Sequence, residues 1–335
     1  MGNKTGRYNA ITDVAGLKVG HYTDLDAVCG VTVIMAEDGA TAGVDVRGSA
    51  PGTRETDLLA PENLADTVQA VVLSGGSVYG LAAADGVVRW LGAKGIGFPL
   101  EAGHVAPIVP AAVLYDLGRG SDFIPSITSR WGQDACRAAR DSAVATGCVG
   151  AGAGAMSGGI KGGLGTASLL LPTGIVVAAI AAVNSLGSVF DTGTGRPWEI
   201  RSEIDGEFGD LGKKSKRLPP QSGGAPAVNT TIGVVATDAG ITKNQARKIA
   251  QMAQDGLGRA IRPAHTMFDG DTVFCMGTGK KNLPETEGFF AAPQAQAINE
   301  IGNAAADCMA RAIIHGVFAA HSMAGMAAFC DLEDL

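Results

Sequence analysis

The sequence predicts a layered α/β sandwich, in which sheets and helices stack instead of alternating around a βαβ wheel. Three observations carry that expectation. Runs of β-branched and apolar residues gather in two groups along the chain, and helical patterns follow each group. Hydrophobic residues make up 46% of the 335 positions and charged ones 18%, which is ample core for one large domain or two smaller ones and too little charge for disorder. Glycine occurs 49 times without a three-residue period and is interleaved with Val, Ile and Leu. Such glycine points to close backbone packing and tight turns.

Composition also narrows the function classes. The formal net charge is −7, and the basic run Lys213-Lys214-Ser215-Lys216-Arg217 sits in a Pro- and Gly-bearing linker. It reads as a solvated loop, so nucleic acid is not an expected partner. The six cysteines (Cys29, Cys136, Cys148, Cys275, Cys308, Cys330) form no Cys-x-x-Cys and mostly lie in apolar runs, as reduced core residues of a cytosolic protein do. The first residues lack the apolar segment of a signal peptide, and Met1-Gly2 has no polybasic partner to support myristoylation. The longest apolar run, residues 174–183, is too short to cross a bilayer. A cytoplasmic protein without membrane association is expected.

Residues 11–22 alternate around Gly16 and Gly20 as a bent strand would. Residues 30–36 and 41–47 read as a hairpin with Asp38-Gly39 at its turn. The charged loop 45–57 is either a salt-bridged surface loop or the wall of a pocket or subunit contact. A buried strand over 70–73 turns through Ser74-Gly-Gly-Ser77 into a helix ending at Leu91. A nucleophile elbow at Ser77 needs glycine on both sides; Gly75 fits but Tyr79 does not, so Ser77 is read as the helix N-cap. A β-branched run covers 105–117 and a helix 133–144. Gly150, Gly152 and Ala155 formally fit a dinucleotide fingerprint, but a helix precedes them and no amphipathic helix follows, which rejects that site. Two adjacent buried strands, 164–171 and 175–183, end at Asn184. The stretch 193–227, with Pro197, Pro219, Pro220 and Pro226, reads as a flexible, nickable connection. A strand over 230–237 is followed by a helix over 242–261, capped by Thr242 and striped with Ala246, Ile249, Met252 and Ala253. Residues 265–274 read as a strand bearing two acids, and the alanine-rich helix 297–320 as buried.

The chemistry centres on Asn229-Thr230-Thr231, where a loose polar run ends and a strand opens. A threonine hydroxyl is a weak nucleophile unless a base lies beside it, and one such base is the residue's own free α-amine. Thr230 acquires that amine only if it attacks the carbonyl of Asn229, turning the peptide into an ester that water opens. The amine then titrates at about 7.7–8.0, suited to proton transfer near neutrality. The plainer reading is a turn followed by an ordinary strand. Asp269 and Asp271, two apart in an extended segment, face one side and repel unless a cation joins them. Lys161, the new ammonium of Thr230, or a metal could serve; His265 lies near in sequence, but with no further ligand cluster the metal is the weaker option. A surface Asp-Gly-Asp turn is the alternative. Tyr115 and Asn184 end apolar strands, as turn residues or as donors to an oxyanion.

Taken together, five stretches resemble a self-cleaving family that includes L-aminopeptidase/D-esterases, β-peptidyl aminopeptidases and nylon-oligomer (6-aminohexanoate oligomer) hydrolases. They are Asn9-Ala-Ile-Thr-Asp-Val-Ala-Gly-Leu-Lys-Val-Gly-His21, Asp45-Val-Arg-Gly-Ser-Ala-Pro-Gly-Thr-Arg-Glu-Thr-Asp57, Ser74-Gly-Gly-Ser-Val-Tyr-Gly80, Asn229-Thr-Thr-Ile-Gly-Val-Val-Ala-Thr-Asp238 and Asp269-Gly-Asp271. The resemblance implies a four-layer αββα sandwich like that of N-terminal nucleophile hydrolases, differently connected. It implies one domain, 1–335, cut into fragments 1–229 and 230–335, and a homo-oligomer, expected to be a tetramer, of processed protomers. Thr230 would be the nucleophile and Asn229 the new end of the larger fragment. Asp269 and Asp271 would orient the nucleophile or hold the substrate's amine, Lys161 would neutralise and position them, and Tyr115 and Asn184 would donate to the tetrahedral intermediate. No cofactor or metal is implied. The implied activity is hydrolysis of small peptides or amides with a free amino end. Threonine with Asp-Gly-Asp looks closer to the nylon-oligomer branch, so linear 6-aminohexanoate oligomers are included. The rivals are an acyltransferase of the ornithine acetyltransferase type and an unprocessed, non-enzymatic binding protein.

Overall fold

Nine strands join in one continuous sheet among the residues described by a computed structural model, 4–219, 229–286 and 292–335. They are β1 (Lys18–Asp24), β2 (Cys29–Val46), β3 (Gly52–Arg54), β4 (Thr67–Ser74), β5 (Ala111–Val113), β6 (Gly163–Leu170), β7 (Val176–Asn184), β8 (Thr230–Ala239) and β9 (Thr272–Lys281). The order is β6-β7-β8-β9-β2-β4-β5-β3, with β1 also paired to β2. β8 runs parallel to β9 and β4 parallel to β5; the other pairs are antiparallel. Four α-helices cover it: α1 (Ala82–Ala93), α2 (Ser129–Ala138), α3 (Lys243–Ala260) and α4 (Ala295–Phe318).

The layering follows from strand alternation, which sends successive side chains to opposite faces. In β7, Val177, Ala179, Ala181 and Val183 pack beneath α3 and α4, while Ala178, Ile180 and Ala182 face inward. In β2 and β4, Val31, Val33, Ala70 and Val72 meet α1 and α2, while Ile34, Val71 and Leu73 join the inner core. The sheet thus folds over itself around the central core, giving the αββα order of layers.

β2 joins the two halves. The sequence reading of a hairpin over 30–47 is corrected here: these residues form a single strand of 18 residues. Its first half pairs with β1 and β4 and its second with β9, and its register against β4 shifts between Met35 and Ala40, near Gly39 at φ +83°. Several other boundaries moved because tertiary partners overrode local pattern. Residues 11–13 form a 3₁₀ turn, and Asp13 accepts the amides of Tyr8 and Ala10; the strand starts only at Lys18. Helix α2 stops at Ala138 because Arg140 pairs with Val19. The run 105–117 keeps only a dipeptide strand at Val105–Ala106 and β5, since Pro107 and Pro110 have no amide to give a ladder. Thr242 does cap α3, in a reciprocal box with Gln245. The basic run is not wholly solvated: Lys216 is buried, with Nζ on Leu332 O at 2.6 Å and Asp334 at 2.8 Å.

The abundant glycine serves the layer contacts. A Cβ on Gly165 of β6 would lie 2.1 Å from Ala312 O and 2.2 Å from the Gly316 amide of α4. The same helix is anchored by Arg311, fully buried, whose guanidinium meets Glu207, Asn9 Oδ1 and Ser168 O. Glu207 also receives His315 Nε2 at 2.8 Å. The connection read as flexible is therefore pinned to α4 in its described part, while residues 220–228 lie outside the described residues. Five of the six cysteines are buried thiols and none is paired. No described helix is long and apolar enough to cross a membrane.

Two predictions follow from this packing. Gly165→Ala should lower stability by about 2–3 kcal/mol, read by denaturant unfolding, because backbone faces backbone at that point. Burial pushes the Glu207 pKa up, but hydrogen bonds from His315 and Arg311 outweigh it and hold the carboxylate at about 2, against 4.5 in the unfolded chain. A depressed folded pKa means this stabilisation, about 3 kcal/mol, is complete above pH 4.5 and lost between there and pH 2. Glu207→Gln should remove that acid-dependent component from a pH series of unfolding curves.

Candidate active site

The site grows from the register of three strands. Antiparallel pairing sets Asn184, the last residue of β7, opposite Thr230, the first of β8. Parallel pairing of β8 with β9 is extended one step by a bridge between Asn229 and Asp269. Asn229, Thr230, Asn184, Asp269 and Asp271 are thereby brought together, all of them buried. The expected strand over 265–274 is corrected: β9 begins at Thr272, and 265–271 is a looped segment with His265 at φ +56°.

That loop is shaped by its own acids. Asp271 Oδ1 accepts the Thr231 amide at 2.8 Å, and its Oδ2 accepts the His265 amide at 3.0 Å and pairs with His265 Nδ1 at 2.8 Å. Asp269 Oδ2 accepts the Thr266 amide at 2.8 Å and hydroxyl at 2.6 Å. Asp269 Oδ1 is buried with no partner among the described residues; the Leu186 amide lies near but makes no hydrogen bond of ordinary geometry. Burial raises the Asp269 pKa, Asp271 adds to the rise, and the Thr266 bonds oppose it. The two acids are thus unequal: Asp271 has both oxygens engaged, whereas Asp269 leaves one oxygen without a partner among the described residues. Loop 47–50 clamps the segment from outside through amides of Arg47 and Gly48 on Asp271 O and of Ala50 on Asp269 O. A Cβ at Gly48 would sit 2.3 Å from Asp269 O, so only glycine permits this approach. Residues 47–50 of the charged loop thus lie against the site, and the loop is also salt-bridged, Arg47 to Asp45 at 2.9 Å and Arg54 to Asp85 at 3.3 Å.

In the intact chain, Thr230 Oγ1 donates to the carbonyl oxygen of Asn229 at 2.5 Å. The Gly270 amide reaches both Thr230 Oγ1, at 3.1 Å, and Asn229 O, at 3.3 Å. The Thr230 hydroxyl, the Asn229 carbonyl and a backbone donor therefore share one small volume.

The remaining candidates stand around Asn184. Its Nδ2 donates to Tyr115 O at 3.0 Å, so Tyr115 meets it through the main chain, and the Tyr115 hydroxyl has no hydrogen bond among the described residues. Asn184 Oδ1 accepts from the Met156 amide at 3.0 Å and from Arg119 Nη1 at 2.7 Å. Lys161 departs from expectation. It makes no ion pair with Asp269 or Asp271; its Nζ donates to the carbonyls of Gly152, Ala155 and Gly162 at 3.0, 2.9 and 2.8 Å. Burial lowers its pKa to about 8. It holds the turn that delivers Met156, its partner across a dipeptide hairpin, to Asn184.

Two participants escaped sequence reasoning. Gly270 looked like turn filler between two acids, and Arg119 follows Tyr115 in a Leu-Gly-Arg-Gly loop without periodic signal. Ser77, read as a helix cap, is not one: Gly76 takes that position at φ +81°, and Asp116 Oδ1 accepts its amide at 2.5 Å, doing the capping from a distant segment. Among the described residues no three His, Cys, Asp or Glu side chains are grouped as a metal would require.

An aminopeptidase of Mycobacterium leprae (strain TN), itself named as uncharacterized, is 47% identical over 97% of this chain and 94% of its own length. A 6-aminohexanoate-oligomer endohydrolase of Kocuria sp. (strain KY2) is 29% identical over 85% of this chain and 79% of its own. The solved L-aminopeptidase D-Ala-esterase/amidase of Ochrobactrum anthropi, described as a variant of the Ntn hydrolase fold, superposes with a TM-score of 0.74 at 23% identity, covering 96% of this chain and 89% of that one. The Peptidase family S58 model matches residues 9–329, nearly the whole chain and every residue of the site, so the chain belongs to peptidase family S58.

Proposed function

We propose that the protein is an autoprocessing amide hydrolase whose nucleophile is Thr230, freed as an N-terminal residue by cleavage of its own 229–230 bond. The reading is carried by the contact of the Thr230 hydroxyl with Asn229 O, with the Gly270 amide against both. Oγ1 attacks the Asn229 carbonyl carbon, the C–N bond breaks, and the released nitrogen takes a proton to become the α-amine of Thr230. Water then opens the ester, leaving a carboxylate on Asn229 and restoring the hydroxyl. Negative charge on the Asn229 oxygen during the attack meets the Gly270 N–H, and the buried amide of Asn184 is the second donor at that edge of the strand. Fragments 1–229 and 230–335 result, and they stay joined because β8 pairs with β7 and β9 with β2 across the cut.

The same groups then serve turnover. The amine of Thr230 takes the hydroxyl proton as Oγ1 attacks a bound amide and returns it to the leaving amine; water releases the acyl group. The free oxygen of Asp269, with its raised pKa, favours an ammonium beside it, either that of Thr230 or the amino end of the substrate. Small peptides and amides with a free amino end fit this charge, and the relatives named as 6-aminohexanoate-oligomer hydrolases extend the class to linear ω-amino-acid oligomers. A homo-oligomer of processed protomers belongs to the same proposal.

Thr230→Ala should remain a single species at full chain mass, whereas Thr230→Ser, which keeps the hydroxyl, should still yield two fragments by intact-mass spectrometry. Two fragments from Thr230→Ala would sink the mechanism. Asp269→Asn should reduce turnover of an L-alanyl amide by about tenfold or more, the worth of a charge-assisted contact, without lowering the unfolding midpoint. Asp271→Asn should lower that midpoint, since both of its oxygens hold backbone amides.

A further inference from the structure

We propose that Arg119 is a positioning residue that fixes and polarises the Asn184 amide beside the bond at Thr230. The inference rests on the oxyanion role given to Asn184 above and extends it to a residue outside the strand system.

Asn184 Oδ1 faces Arg119 Nη1 at 2.7 Å and the Met156 amide at 3.0 Å, both of which can only donate. Asn184 Nδ2 faces Tyr115 O at 3.0 Å, which can only accept. Rotating the amide by half a turn would set donors against donors and an acceptor against an acceptor, so one orientation is imposed. In it, Nδ2 spends one hydrogen on Tyr115 and keeps the other, and its side chain shares a sheet face with that of Thr230, its cross-strand partner. A guanidinium on the amide oxygen also draws electron density from the nitrogen, which strengthens its remaining N–H as a donor in a dry site.

Arg119 is itself held. It donates to Gly154 O, on the turn secured by Lys161, and lies within the field of Asp116. Asp116 is fully buried and accepts the Gly76 amide and the Cys29 thiol. Residues 115–119 therefore supply both the acceptor and the cationic donor that set Asn184, and Asp116 ties this segment to the turn after β4.

The test is a double-mutant cycle on self-processing, which needs no substrate. Wild type, Arg119→Met, Asn184→Ala and the double variant are synthesised in a cell-free system, and conversion of full-length chain into two fragments is followed with time. Asn184→Ala should slow conversion about 100-fold and Arg119→Met about tenfold, with folded far-UV spectra in all. In the Asn184→Ala background, Arg119→Met should slow it no further, because a residue acting through Asn184 has nothing left to act on. Equal slowing in both backgrounds, or none in the wild type, would overturn the inference while leaving the Asn184 role intact. A normal rate for Asn184→Ala would overturn that role and the inference with it. If Arg119→Met does not fold, Arg119→Lys, which keeps the charge but not the planar donor, is taken through the same cycle with the same criteria.

Discussion

The amide of Thr231 donating to the carboxylate of Asp271 is the contact on which the site's geometry depends. Strand β8 lies centrally, between antiparallel β7 and parallel β9, so its first residues cannot shift without breaking two ladders. Beyond the last β8–β9 ladder pair, that carboxylate and the Asn229–Asp269 bridge continue the register, and the carboxylate also gathers His265. Thr230, one residue earlier, is therefore presented with its hydroxyl against the preceding carbonyl. A nucleophile that must meet its own peptide bond needs such constraint, because proximity and orientation supply much of the barrier reduction in an intramolecular reaction.

Around that point the molecule concentrates buried charge in unequal roles. Asp271 has both oxygens hydrogen-bonded, while among the described residues Asp269 and the enclosed Asp116 each have one oxygen without a partner. Unpaired buried carboxylate oxygens cost stability unless a cation or proton meets them. A cost borne at Asp269, beside the proposed nucleophile, is intelligible if the cation arrives only after the chain is cut. Lys161 satisfies three carbonyls without a carboxylate, so its part is to hold a glycine-rich turn in shape.

The rest of the fold supplies rigidity at short range. Helix α4 lies on β6 through Gly165 and Gly316, and is locked by Arg311, which bonds both Ser168 O of β6 and Glu207. The chain before residue 220 passes through that lock, which couples it to the sheet bearing Asn184.

Much of this was legible in the chain. Two groups of apolar runs foretold the layers, since strand alternation is written in residue order. The adjacent strands β6 and β7, the Thr242 cap of α3 and the start of β8 at Thr230 are local features and were found where local pattern put them. What depended on distant partners was not legible. The hairpin expected over 30–47 is one strand because β9 occupies its second half, and Ser77 is no cap because Asp116 arrives from another segment. Likewise the sequence marked Asp269 and Asp271 as an equivalent pair, and the family resemblance joined them to Lys161. Which oxygen stays free, where the ammonium of Lys161 goes, and that Arg119 and Gly270 belong to the site at all were decided by tertiary structure, because hydrogen-bond partners are allotted in space and residue order does not encode them.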